Sequence, residues 1–197
     1  PRANCILRAS TVAMRVWNSL NRMKFADLRL ELGNFNLFNQ SQGGNGDTGG
    51  DAGGGSLTFT ASNATINLLP DATGNARLSL GGAMQGGNGV SAGGNAVASN
   101  VTVNITNSQI RGGGLEVNPL AIGGNASATN GLGGSAQGAQ VAINVTGSQL
   151  DLVGEALFAA DARGGAGGTG ATGGSATSGA VDAIVSGSQI TINADGQ

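Results

Sequence analysis

Residues 100–110 read Asn100-Val101-Thr102-Val103-Asn104-Ile105-Thr106-Asn107-Ser108-Gln109-Ile110. Apolar residues at Val101, Val103 and Ile105 alternate with polar ones, so one face of an extended strand is apolar and the other is not. A short polar corner, Thr106 to Gln109, separates that strand from Ile110. The same text returns as Val141 to Leu150 and, altered, as Val181 to Ile190, so that Ile110, Leu150 and Ile190 are spaced by 40 residues. Looser copies lie at Leu57 to Ile66 and Leu28 to Leu37. A fixed period of this length marks a repeat architecture, and that decides the fold before any other consideration.

One column of the repeat is more constrained than the rest. Two places after the third apolar residue stand Asn34, Asn63, Asn107, Gly147 and Gly187. Asn and Gly are the residues that best tolerate positive φ. The preceding residues, Gly33, Ser62, Thr106, Thr146 and Ser186, are small and mostly hydroxylic, as turns prefer. Each unit therefore reads as strand, left-handed corner, strand: one bend of a stacked β-coil. The expected parity puts Val101, Val103, Ile105 and Ile110 inside, over Val141, Ile143, Val145 and Leu150, with Thr102 and Asn104 outside.

Of 197 residues, 38 are Gly, 3% are aromatic and 10% are charged, against the larger side chains and higher charge usual in a globular enzyme. A narrow core of Ala, Val, Leu and Ile fits this composition. The net charge of −2 gives no basic footprint for nucleic acid. The single cysteine, Cys5, stands outside the repeats and reads as incidental rather than as a reactive thiol. No apolar run approaches the roughly 18 residues of a membrane span. The chain begins at Pro1 and stops at Gln197, soon after a repeat unit, and is read as a piece of a longer protein.

Residues 1–24 differ from the rest. Arg2, Arg8, Arg15, Arg22 and Lys24 gather there, and Ala13, Val16, Trp17, Leu20 and Met23 recur at helical spacing after Ser10 or Thr11 as a cap. The expectation is a short amphipathic helix covering the open end of the stack. A basic helix for a membrane or nucleic acid, or a segment foreign to the protein, are the alternatives. Residues 25–197 form the repeat region.

Gly-rich tracts at Gly43–Gly55, Gly86–Gly94, Gly123–Gly134 and Gly164–Gly174 keep the phase of the repeat: Gly93-Gly94, Gly133-Gly134 and Gly173-Gly174 are again 40 apart. A flexible linker would drift in length, so these tracts belong to the architecture. Leu115 to Ile122 and Glu155 to Ala160 supply a further strand per unit. Forty residues suggests two coils per repeat, adding on the order of 10 Å of rod. The second, weaker coil would be built from these variable pieces and the Gly tracts, with irregular loops leaving it to carry contacts.

Catalysis on such a scaffold would need converging ionisable groups. Beyond Arg29 the repeats hold no Lys or His and only Arg77, Arg111 and Arg163; the acidic residues Asp151, Glu155 and Asp161 are spread over one unit and read as solvated loop carboxylates. Gly43-Gly-Asn-Gly-Asp47 is similar to a calcium-binding nonapeptide, but the Asp comes one place early and later tracts lack it, leaving Asp47 and Asp51 too few oxygen ligands. No Lys-Ser/Thr ends the tract, so it is no phosphate loop. Asn-x-Ser/Thr sequons at Asn63, Asn100, Asn104, Asn125 and Asn144 follow from strands rich in Asn and Thr. No residue is assigned a catalytic, cofactor-binding or metal-ligating role.

The run from Gly164 to Ala176 followed by Val181 to Asp195 resembles the large bacterial exoproteins of the filamentous haemagglutinin and autotransporter-adhesin type, over about Phe25 to Gln197 and in repeat style. That resemblance implies a right-handed parallel β-helix, secreted or held on the cell surface, acting as an adhesive or structural rod. Its partners would be a host or matrix surface or a polysaccharide, not nucleic acid, with the outer membrane engaged only through other parts of the chain. The tracts also resemble the Gly-Gly-x repeats of mycobacterial surface proteins, which lack the strand-corner text. The rival class is a carbohydrate-active β-helix enzyme with its catalytic residues elsewhere.

Overall fold

Val101, Val103 and Ile105 each retain at most 1% of their surface, while Thr102 and Asn104 between them stay half-buried on the outer face. The parity expected from the alternation is the parity found. The computed structural model, which describes residues 6–15, 22–26, 29–69 and 76–193, is all-β, with parallel strands stacked as a solenoid of about four turns. Strand Asn100–Thr106 lies between Ser56–Ser62 and Gln140–Thr146, so Val101 pairs with Leu57 on one side and Val141 on the other. With Arg22–Ala26 and Ala180–Ser186 these make a first sheet of five strands.

After the corner the chain enters a second, larger sheet in two steps, Gln109–Arg111 and Gly114–Ile122 in one coil, Gln149–Val153 and Ala156–Phe158 in the next. The further strand read at Leu115 to Ile122 is thus real. Leu30, Ile66, Ile110 and Leu150 stack in one ladder, and Leu37, Leu80 and Val117 in another. Phe35 meets Phe59 across the core edge-on, centroids 6.1 Å apart. A third sheet of two-residue strands, Ala52–Gly53, Ala96–Val97, Ala136–Gln137 and Ala176–Thr177, closes the coil with an alanine ladder.

Between the second and third sheets lie the glycine tracts, and here the expected plan changes. Each coil carries two Gly-Gly doublets, such as Gly86-Gly87 and Gly93-Gly94, that face one another across a neck. The backbone amide of Gly50 donates to Gly44, Gly87 to Gly50, Gly94 to Gly87, Gly124 to Gly94, Gly134 to Gly124, Gly165 to Gly134 and Gly174 to Gly165, all at 2.7–2.9 Å. The bonds cross the neck at every step up the axis. A Cβ on Gly124 would overlap the Gly87 carbonyl, and one on Gly94 would overlap that of Gly50. Only glycine allows two backbones this close. The loops beyond the neck stack too: Gly46–Thr48 pairs with Gly89–Ala92, which bridges to Ala126 and Leu132. They form an ordered fin rather than irregular excursions.

One circuit through three sheets, neck and fin consumes the whole repeat, so each repeat makes one coil, not two. Val101 and Val141 are direct neighbours, and the rise per repeat is about 4.8 Å, half the expected step. A two-lobed cross-section accommodates the extra length that the expectation assigned to a second coil.

Two further expectations are corrected. Leu28 to Leu37 is not a strand-corner-strand copy: Arg29–Phe38 is one strand, registered on the post-corner strand with Arg29 opposite Thr65. Asn34 is not among the described residues with positive φ; it marks the second bend, where its Oδ1 accepts from the Arg77 amide at 2.9 Å. Burial switches parity at Leu32-Gly33, which let the stretch pass for a corner unit. Nor does the amphipathic helix form within 1–24 where that segment is described: Ile6–Arg15 is a strand paired with Arg29–Phe38, and Arg22–Ala26 one paired with Ser56–Ser62. An open parallel edge offers a row of unpaired amides and carbonyls, which a strand satisfies and a helix does not. Val16, Trp17, Leu20 and Cys5 lie outside the described residues.

Candidate functional site

At the first corner the chain must reverse within two residues, and Asn63, Asn107, Gly147 and Gly187 do so with φ of 49°, 47°, 57° and 56°. The corner is tied along the axis by serine. The amides of Ala64, Ser108 and Ser148 donate to the hydroxyls of Ser108, Ser148 and Ser188 in the next coil, each at 3.0 Å. Those hydroxyls donate in turn to the carbonyls two residues earlier, Thr106, Thr146 and Ser186. Ser108 and Ser148 are 5% exposed, so these hydroxyls are structural and closed to a ligand.

The stacked corners leave a shallow furrow of about 740 Å³ running along the axis. It is lined by one triplet from each of four coils: Asn63-Ala64-Thr65, Asn107-Ser108-Gln109, Gly147-Ser148-Gln149 and Gly187-Ser188-Gln189. Its floor drops where Gly replaces Asn; Asn107 Oδ1 lies 2.6 Å from where a Gly147 Cβ would stand. One wall is an amide ladder. Gln109 Nε2 donates to Gln149 Oε1 at 3.0 Å, and Gln149 Nε2 donates to Asp151 at 2.9 Å. The exposed amides of Asn63, Asn107 and Gln189 have no protein partner among the described residues. No charged side chain lines the furrow.

Of the residues weighed for catalysis, Arg77, Arg111, Asp151 and Glu155 form ion pairs on the outer face, and Asp161 and Arg163 form none among the described residues. Arg77 Nη1 reaches Glu116 at 3.4 Å and Glu155 at 3.2 Å, and Arg111 Nε faces Asp151 at 3.7 Å. Asp161 and Arg163 sit on another short strand, Asp161–Arg163, opposite Leu120 and Ile122. Asp151, Glu155 and Asp161 are therefore not gathered, and among the described residues no three Asp, Glu, His or Cys converge to hold a metal ion. Asp51 Oδ1 accepts from the Asn95 amide at 2.7 Å, a structural use, while Asp47 contributes its carbonyl to Ser91.

Most of the sequon asparagines also serve the stack. Asn100 Oδ1 accepts from the Gln140 amide, Asn104 Oδ1 from Asn144 Nδ2, and Asn125 Oδ1 from the Ala166 amide. Asn45, Asn88 and Asn125 form one such column beside the neck; Asp51, Asn95 and Ser135 form another. The sequence carried a signal for these: each follows a Gly-Gly doublet. The corner column marked these positions, but the furrow as a surface had no local signal, because its triplets are 40 or 44 residues apart in sequence. Comparison with protein-family models, curated proteins and solved structures finds no match for this chain.

Proposed function

We propose that the chain is a segment of a non-enzymatic structural or adhesive rod, secreted or held on a cell surface. The observation that carries this reading is the coil-by-coil repetition of one polar furrow that no charged side chain lines, on a scaffold where Arg77 and Arg111 are paired with acidic side chains of neighbouring coils. Repetition multiplies weak contacts along a surface, which suits attachment. A catalytic site instead concentrates unlike groups at one place.

The test is to label intact source cells with antibody to this region and treat them with a non-permeant protease. Surface labelling that the protease removes is the expected result; a signal seen only after lysis would defeat the reading. The enzyme alternative predicts new reducing ends when the full-length protein meets a polysaccharide panel.

A further inference from the structure

We infer that the furrow beside Asn63, Asn107, Gly147 and Gly187 is a binding site for a neutral, extended polysaccharide lying along the solenoid axis. This deepens the rod reading by naming what its surface holds. The argument begins with periodicity. Equivalent triplets recur once per coil, at roughly 4.8 Å. One pyranose ring with its bridging oxygen advances an extended glycan by a comparable length, so one sugar meets one triplet. A ligand with no repeat of its own would match one coil and miss the next.

Chemistry selects neutral sugars among repeating polymers. The lining offers Asn and Gln amides and a Thr hydroxyl, groups that both donate and accept, as sugar hydroxyls do. Charge is absent from it, so neither a polyanion nor a polycation is compensated. Arg111, behind the wall, is engaged by Asp151. The backbone at the corner is already satisfied by the serine column, and the exposed amides of Asn63, Asn107 and Gln189, which have no protein partner among the described residues, are left to the ligand. At Gly187 nothing lies within 4 Å of the Cβ position, so a ring can approach the backbone there, while at Gly147 the Asn107 amide fills that space and presents its own polar atoms. No aromatic side chain lines the furrow, so each sugar is held weakly and affinity comes from length.

Native gel electrophoresis of the chain through neutral polysaccharides (a mixed-linkage β-glucan, a xylan and a mannan) tests this, with polygalacturonate and heparin gels as the charged arm. Retardation in at least one neutral gel is expected, with competition by oligosaccharides that strengthens up to about four sugars, one for each of the four lining coils. The variant Gln109→Ala/Gln149→Ala/Gln189→Ala should raise the apparent Kd at least tenfold while remaining folded at the binding temperature, its thermal midpoint lowered by the lost Gln109–Gln149 and Gln149–Asp151 bonds. Thr58→Ala/Thr60→Ala, on the outer face of the first sheet, should change it less than twofold. Should the triple variant not fold, Gln189→Ala alone, at an exposed position, should still weaken binding severalfold. Retardation in no neutral gel, or in acidic gels only, overturns the inference, as does unchanged binding by the furrow variant. Release of reducing ends from a bound glycan would sink the rod reading and leave the furrow standing. A surface-labelled protein that binds no glycan would do the opposite.

Discussion

The two halves of each coil hold the same axial spacing by opposite means. In the strand half, Val101, Val103 and Ile105 stack on Val141, Ile143 and Val145, and side-chain volume fills the space between sheets. In the glycine half there is no volume to fill: Gly87, Gly94, Gly124 and Gly134 bring backbone against backbone, and hydrogen bonds crossing the neck replace the apolar core. The first solution tolerates another aliphatic of similar size. The second tolerates no side chain. Low burial of apolar area is therefore not the same as a weak region, provided every buried amide finds an acceptor.

The largest effect that would break this contrast is in the neck. Gly94→Val or Gly124→Val should cost more than about 4 kcal/mol in chemical denaturation, because the added atoms fall on a neighbouring carbonyl that cannot move away. Gly44→Ala is the internal control: nothing lies within 4 Å of its Cβ position, and the change should stay within about 0.5 kcal/mol. Equal tolerance at Gly44 and Gly124 would mean that the neck is not closed in solution.

Next comes the aliphatic core. Ile143→Ala should cost about 2–5 kcal/mol and Ile143→Val about 0.5–1.5 kcal/mol, a graded response that the neck should not show. At the corner, Asn107→Val should cost about 1–3 kcal/mol because a β-branched residue resists positive φ, whereas Asn107→Gly should be nearly neutral. If the two corner variants unfold alike, the corner geometry is wrong. Smallest is the asparagine column: Asn95→Ala removes the acceptor for the Ser135 amide and should cost about 1 kcal/mol, read as a shift in denaturation midpoint at constant slope.

Much of the strand half was legible. Alternation in Asn100–Thr106 gave the parity, and the Asn/Gly column gave the corner at Asn63, Asn107, Gly147 and Gly187, because both signals depend on side chains that are present. The glycine half was legible only in its phase. Two glycines meeting across a neck leave no periodicity to count, so the repeat was divided into two coils when it makes one. The N-terminal strand was missed for a different reason: Leu7, Ala9, Val12 and Met14 follow Leu30, Leu32, Phe35 and Leu37 position for position, including a slip of parity. That slip breaks strict alternation and hides the strand, whereas the helical reading came from Ala13, Val16, Trp17, Leu20 and Met23, of which only Ala13 and Met23 are among the described residues. Asn34 was misassigned through the same slip, one coil on.

The neck also has a mechanical meaning. In section the coil is a thick core and a thin fin joined by a web only two backbones wide, much as flanges are joined in a beam. Resistance to flexure grows with the square of the distance of material from the neutral axis. A rod of this profile is stiffest in the plane that contains core, web and fin, and bends most readily across it. The glycine-to-glycine hydrogen bonds, running the length of the web, carry the shear between flanges when it does.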